Sequence, residues 1–534
     1  MDDALVIGAG HNGLAAAIVL ADAGWNVTVL ERNPVPGGAV RTEEVTLPGF
    51  RHDLFATNLN LFVGSPFFAR YGAELADHGL SFVSSDRPFS SAFPDGRFLG
   101  ISTDRDGTRA SIAAFSTADA DAWFELSAWF SRVAPHLFAL LATPLPSARA
   151  IRALLKGTRA LGRSWPGDLT RLVLQSPREF VQEHFATPEV QALCASWGMH
   201  LDFAPDVSGG ALFPFLESMA SFANGMVLGR GGAGNMIDAM VSLLEARGGT
   251  LRCNAEVDRI IVEGGKTSGV ALTTGEHLDS RRAIVANLTP TALFGRLLRD
   301  VDLPSRLRRQ VAAYRYGPGT MMIHLAMDGP APWGNSEAAE YAYVHIGPYV
   351  DDMALAYQRV QAGLLPEAPT LVVGQPTVVD PSRAPAGKHI LWVQVRMVPG
   401  KIRGDALGEI DTTSWAEAKE PYADRVMSIL ESYAPGLGDR VLRRAVLSPV
   451  DLEAADANLV GGDSLSGSHH LMQYLFLRPM AGWSRYKTAV ERLWMCGAST
   501  WPGAGVGAGS GLLAGSGILA AHSRGSRFLS RIKV

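Results

Sequence analysis

Gly8-Ala9-Gly10-His11-Asn12-Gly13 has the spacing GxGxxG, and Glu31 follows 18 residues after the last glycine. This set is suited to holding a dinucleotide. Gly8 permits a tight strand-to-helix turn, Gly10 lets the backbone approach a pyrophosphate, and Gly13 lets helix and strand pack closely. A helix that begins at the motif presents free N–H groups and a partial positive charge to the phosphates. Glu31 can accept hydrogen bonds from ribose hydroxyls, and its charge repels a 2′-phosphate. His11 and Asn12 in the turn and Arg32 after the acid join the candidate contacts. A lone GxGxxG is weak, so its surroundings carry the argument. Ala4-Leu5-Val6-Ile7 reads as a buried parallel strand. Leu14 to Ala23 reads as an alanine-rich helix, with Gly24 at the C′ position. Asn26 to Leu30 supplies the second strand.

A second glycine pair follows. The run Glu31-Arg32-Asn33-Pro34-Val35-Pro36-Gly37-Gly38-Ala39-Val40-Arg41-Thr42 resembles the extended FAD signature of the amine oxidase and phytoene desaturase superfamily. The resemblance implies non-covalently bound FAD. Gly37 and Gly38 would allow backbone approach to the cofactor, and Arg41 would balance phosphate charge, a surface salt bridge being its alternative role. Pro48 to Asp53 and Gly231 to Met236 extend the likeness. It also implies that the Val257 backbone meets the adenine. Asp380 to His389 and Gln473 to Pro479 are similar to the pyridine nucleotide-disulfide oxidoreductase domain 2-like and carotenoid ketolase-like branches. Near the C-terminus, Leu493 to Ala498 reads as a strand and loop. Pro502 to Gly509 is a glycine loop before a helix from about Leu512 to Ala521. By resemblance, Gly497, Ala498, Gly505, Val506 and Gly507 lie along the flavin. Many FAD enzymes have an acid where this chain has Ala498.

The fold expected is α/β. It has a discontinuous Rossmann-type (GR2-like) FAD-binding domain formed by residues 1–60, 225–290 and 485–534. Residues 61–224 and 291–484 form a substrate domain, with a helical insertion around 110–200. Thr320 to Met327, Thr370 to Val373 and His389 to Val395 read as strands without helices between them, which predicts a mixed or antiparallel sheet there.

Composition sets limits. The 534 residues are 47% apolar and carry a net charge of −4, with no basic surplus to suggest a nucleic-acid partner. Cys194, Cys253 and Cys496 are far apart and odd in number, so neither a disulfide framework nor a metal site is expected, and a reducing compartment such as the cytoplasm fits. Asp2 and Asp3 stand where a signal peptide would be basic. No run of ~20 apolar residues predicts a membrane span. Arg149, Arg152, Lys156, Arg159 and Arg163 alternate with Ile151, Leu154, Leu155 and Leu161, a basic amphipathic pattern suited to an anionic membrane surface or an acidic partner. Gly157 and Gly162 lower its helix propensity by ~1 kcal/mol each. Of the many aromatics between residues 54 and 230, most belong to a core, and some could line an apolar tunnel.

The chemistry expected is oxidation, by desaturation or a related step, of a hydrophobic, polyene or isoprenoid-like substrate, with hydride transfer to flavin N5. Oxygen, a quinone or another carrier would accept the electrons, because no second nucleotide fingerprint appears. The alternatives are a redox-neutral flavin-dependent isomerase, an amine oxidase-like enzyme, and a non-catalytic flavoprotein acting through partners. No acid or base is fixed by the sequence. His52, His200, His470 and Tyr474 are candidates, as are His469, Gln473 and Arg478, each with a structural role as the alternative. Oligomeric state is not read from these residues.

Overall fold

The computed structural model describes residues 2–532; Met1, Lys533 and Val534, in the terminal segments expected to bind FAD, lie outside it. Ala4, Leu5 and Val6 are fully buried, because the strand Asp2–Ile7 lies between two parallel neighbours, Val27–Leu30 and His277–Asn287. Covered on both faces, it reads as a continuous apolar run. Thr250–Arg252 pairs with Val27–Leu30, and Leu493–Cys496 with His277–Asn287, both in parallel. The antiparallel strands Val257–Glu263 and Lys266–Leu272 complete seven strands. Three distant parts of the chain therefore meet in one sheet.

The helix His11–Asp22 follows the first strand, and residues 12–21 along it are all buried. The C-terminal helix Gly509–Ile532 packs on it through two glycines on one face. A Cβ on Gly511 would run into the Asn12 carbonyl, and one on Gly515 would stand 2.9 Å from Val19. The Gly511 N–H donates to Asn12 Oδ1 at 3.2 Å. The two ends of the chain are thus locked together at the GxGxxG turn.

A second seven-stranded sheet runs in the order Val441–Leu447, Gly319–Met327, His389–Val398, Thr370–Gly374, Tyr343–Ile346, Phe89–Ala92, Phe98–Ile101. It is antiparallel except where Phe89–Ala92 lies beside Tyr343–Ile346. Strand alternation divides its side chains. Ile323, Leu391, Val393 and Val395 pack in a core with the helix Trp415–Tyr433. Thr320, Met322, Trp392, Gln394 and Arg396 point the other way, into a cavity.

Helices fill residues 105–224, including Thr117–Leu141, Ala148–Leu161, Trp165–Leu174 and Leu212–Asn224. Ala148–Leu161 is the basic stretch anticipated above. Its Gly157 makes room for Trp165, whose Nε1 would stand 2.6 Å from an added Cβ. A buried ion pair ties the segment after the second glycine pair to the second sheet. Arg383 Nη2 lies 2.8 Å from Asp53 Oδ2, with both side chains fully buried. Asp53 also accepts from the Thr42 and Thr57 hydroxyls and the Ala233 N–H. Among the described residues, no helix is long and apolar enough to cross a membrane.

Candidate flavin and substrate site

Two cavities meet between the sheets. The first, about 1890 Å³ including its open mouth, runs from Leu30, Glu31, Ala255 and Val257 past the Gly8–Asn12 turn to Trp197, Tyr343, Trp392 and Arg396. The turn is shaped by what glycine leaves out. Gly8 has φ +94°, a backbone region that a side chain would strain. A Cβ on Gly13 would collide with the Gly8 carbonyl, so the helix N-terminus can sit directly against the strand. The Gly37 N–H donates to the Ala9 carbonyl at 3.1 Å, bringing the second glycine pair onto the first.

Glu31 is 6% exposed. Its Oε2 accepts from the Ala9 N–H and its Oε1 from the Asn33 N–H, both at 2.9 Å. Each oxygen keeps a lone pair for a neighbouring hydroxyl. Burial raises its pKa, against the lowering effect of those N–H groups. Asp456 lines the same stretch, its pKa also raised by burial. Arg32 opens on this end and donates to the Ala454 carbonyl at 2.8 Å. His11 is pushed down to about 4 by burial and is neutral, within 2.9 Å of Asn12 Nδ2. Asn287 lies between the N-terminal turn and the C-terminal loop: its Nδ2 is 3.5 Å from the Gly8 carbonyl, and a Cβ on Gly497 would stand 2.5 Å from its Oδ1.

At the far end the wall is aromatic. Tyr343 and Trp392 stack with centroids 5.7 Å apart and planes 5° apart. His200 Nε2 lies 3.1 Å from His345 Nε2, and His345 Nδ1 lies 3.2 Å from Ser196 Oγ. Burial holds His200 well below its usual range and His345 near 3, so the pair is neutral at pH 7. Arg396, 4% exposed, spans the floor. It donates to the Met199 and His200 carbonyls and to the Thr320 and Ser464 hydroxyls, with no carboxylate of the described residues in ion-pair contact.

The second cavity, about 2100 Å³ including its opening, is a channel lined by Leu61, Val63, Leu141, Phe203, Leu216 and Leu513, among others. It shares Asn12, Leu61, Leu201, Phe213, Glu217, Ala504 and Gly505 with the first. It reaches Phe138, 43% exposed, near the C-terminal end of Thr117–Leu141.

Gly8, Gly10, His11, Asn12, Glu31, Arg32, Gly37, Gly38, Val257, Ala498, Gly505 and Val506 line the first cavity, and Gly507 lines the channel. Gly13 and Gly497 stand behind the lining as packing positions. Arg41 turns aside: its Nε is 3.4 Å from Glu43, and its guanidinium lies 5.6 Å from the Phe55 ring centroid. Of the acid–base candidates, His200 faces the first cavity and Tyr474 the channel. His52 is fully buried outside both, hydrogen-bonded to Thr46 and packed against His324, and burial pushes it down to about 2. His470 is held by Tyr357 and Asp202, also outside both. His469 accepts the Ala504 N–H. Gln473 pairs with the Arg315 backbone. Arg478 gathers the carbonyls of Leu465, Gly467, Ser468 and Ala498 beneath the C-terminal loop. Asn287, Asp456, Glu217, Tyr343, Trp392 and Arg396 were not singled out by the sequence reading. Each is one polar or aromatic residue in an ordinary helix, strand or loop, with no local motif to mark it.

A glycine cradle on a parallel sheet, opening onto an aromatic chamber under a second sheet, is the architecture of an FAD-dependent oxidoreductase. The chain belongs to the flavin containing amine oxidoreductase family, whose model matches residues 13–503, and its cofactor is FAD. The groove fits that cofactor: glycines leave its length open, and Glu31 retains acceptors for a ribose. The chain is 29% identical to the pyridine nucleotide-disulfide oxidoreductase domain-containing protein 2 of Rattus norvegicus, over 94% of this chain and 91% of that one. It is 26% identical to the neurosporene-forming phytoene desaturase of Cereibacter sphaeroides, over 95% and 92%. The crystal structure of an oxidoreductase from Methanosarcina mazei shares its fold, with a TM-score of 0.61 at 18% identity, covering 97% of this chain and 99% of that one.

Proposed function

We propose that the protein desaturates, or otherwise oxidises, an apolar polyene or isoprenoid-like substrate that enters through the second cavity. The observation that carries this reading is the apolar channel, which joins the aromatic chamber at Leu61, Leu201 and Phe213. Sites for long apolar ligands are lined this way, with few polar groups. The similarity to phytoene desaturases supports the same substrate class. An amine substrate is less well served: the channel is greasy, and no lysine lines either cavity among the described residues.

FAD, when bound, supplies the two-electron acceptor. The chain's residues do the rest. Gly8, Gly10 and the start of His11–Asp22 would receive the pyrophosphate, Glu31 the ribose hydroxyls, and the Val257 backbone the adenine. Ala498, Gly505 and Val506 would border the ring. Trp197, Tyr343 and Trp392 exclude water from the chamber and orient a flat, conjugated chain. Arg396 brings a fixed positive charge, and the His200–His345 pair can relay a proton while uncharged at rest.

The channel reaches Phe138, and the neighbouring helix Ala148–Leu161 exposes Ile151 at 62% and Leu155 at 53%. Arg149, Arg152, Lys156 and Arg159 on it make no ion pair with any described residue. This basic, partly apolar surface suits contact with an anionic membrane from which an apolar substrate is drawn. The test is anaerobic mixing of the holoenzyme with acyclic polyenes, isoprenoids and primary amines. Bleaching of the oxidised flavin band by the polyenes or isoprenoids supports the reading; bleaching by amines alone refutes it. Oxygen or a quinone then restores the band.

A further inference from the structure

We propose that Glu217 is the proton acceptor of the substrate passage, placed where the apolar channel opens into the flavin chamber. The inference rests on the oxidation reading above and adds to it the group that takes the second hydrogen.

The position follows from one helix. In Leu212–Asn224, Pro214, Phe215, Ser218, Met219 and Phe222 turn into the protein and are buried. Phe213, Leu216, Glu217, Ala220 and Asn224 recur at helical spacing and line the channel. Glu217 is the one ionisable residue on that stripe. It also lines the chamber, so it belongs to the short neck that both cavities share. Its carboxyl makes no hydrogen bond or ion pair with any described residue. The side chain is half-buried, so its carboxyl opens into the neck with lone pairs free for a ligand that passes it.

The titratable and charged groups facing these cavities near the neck are His11 from the GxGxxG turn, His200, Tyr343 and Arg396 around the chamber, and Tyr474 in the channel. None lies within ion-pair distance of Glu217. Burial alone pushes the Glu217 carboxyl up to about 7. A base so placed is half ionised at neutral pH and strong enough to take a proton, the condition for efficient general-base catalysis.

Forming one C=C bond removes two hydrogens from adjacent carbons. One leaves with its bonding pair to the oxidised flavin, which is reduced as the carbon is oxidised. The other leaves as a proton to the Glu217 carboxylate, and the electrons of its C–H bond become the new π bond. Glu217 returns the proton to water when the product departs.

The experiment compares wild-type, E217Q and E217D holoenzymes with equal FAD content. Infrared difference spectra across pH 5 to 9 should show a carboxylic acid C=O band that titrates near neutrality in wild type and is missing in E217Q. With a polyene that reduces the wild-type flavin, the rate should rise with pH through the same range. E217Q should lose about 100-fold or more of it, together with the pH dependence, and E217D should recover part. A titrating band absent from wild type, or an E217Q enzyme with wild-type rate and pH profile, overturns the role of Glu217 while leaving the oxidation reading intact. A wild-type flavin that no polyene or isoprenoid reduces overturns both.

Discussion

Replacing Arg383 with methionine should destabilise the protein far more than removing any surface arginine. The substitution keeps the bulk of the side chain but strands Asp53, which is fully buried and 2.8 Å from the Arg383 guanidinium. Breaking a buried pair from one side costs about 3–5 kcal/mol, because the remaining charge has no counter-ion. The Asp53 bonds to Thr42, Thr57 and the Ala233 N–H place the loss nearer the lower figure. A loss of that size lowers the folded-to-unfolded ratio by at least roughly a hundredfold. Burial acts to raise the Asp53 pKa, but Arg383 and the two hydroxyls more than offset it and hold it below the ordinary carboxylate range. Its contribution is therefore complete above that range and is lost as pH falls through the lower folded value. In R383M the carboxylate loses its main support, so acid unfolding should begin at higher pH. The assay is urea unfolding at saturating FAD, followed by tryptophan fluorescence and far-ultraviolet circular dichroism, whose coincidence justifies a single free energy. Arg308→Met is the control: its partner Asp302 is fully exposed, so the change should stay within about 1 kcal/mol. An R383M loss as small as that of R308M would refute the reasoning.

Other expectations follow from the same geometry. Gly13→Val should yield colourless protein, because its side chain would occupy the position of the Gly8 carbonyl; flavin absorbance of the purified variant checks this. Leu216→Trp narrows the channel. It should raise KM for a long polyene at least severalfold while leaving FAD content unchanged, as steady-state kinetics would show. Reversing charge at Arg149, Arg152 and Lys156 together should abolish sedimentation with anionic vesicles, at about 1 kcal/mol per basic residue, without changing the melting temperature of the holoenzyme.

The cradle was legible in the sequence because its constraints are local. A strand, a turn and a helix that must touch leave glycines at fixed offsets, and Glu31 stands at a strand end set by the same unit. The basic helix was legible from its alternation of Arg and Leu, and Gly157 proved compatible with it because Trp165 packs there. Glu217 was not legible. On an amphipathic helix a single acid reads as the solvent face, and here that face looks into a channel built by residues from distant parts of the chain. Arg396 and Trp392 were hidden for a related reason: strand alternation separates two faces but does not say which one meets a cavity. His52 and His470 share their residue type with His200, and only long-range packing sends the first two away from the chamber and the third into it.

The most direct measurement is the mass of the product formed when one equivalent of a polyene reduces the flavin without oxygen. The account predicts a product lighter by two hydrogens for each flavin reduced. A product of unchanged mass, as an isomerase would give, would contradict it.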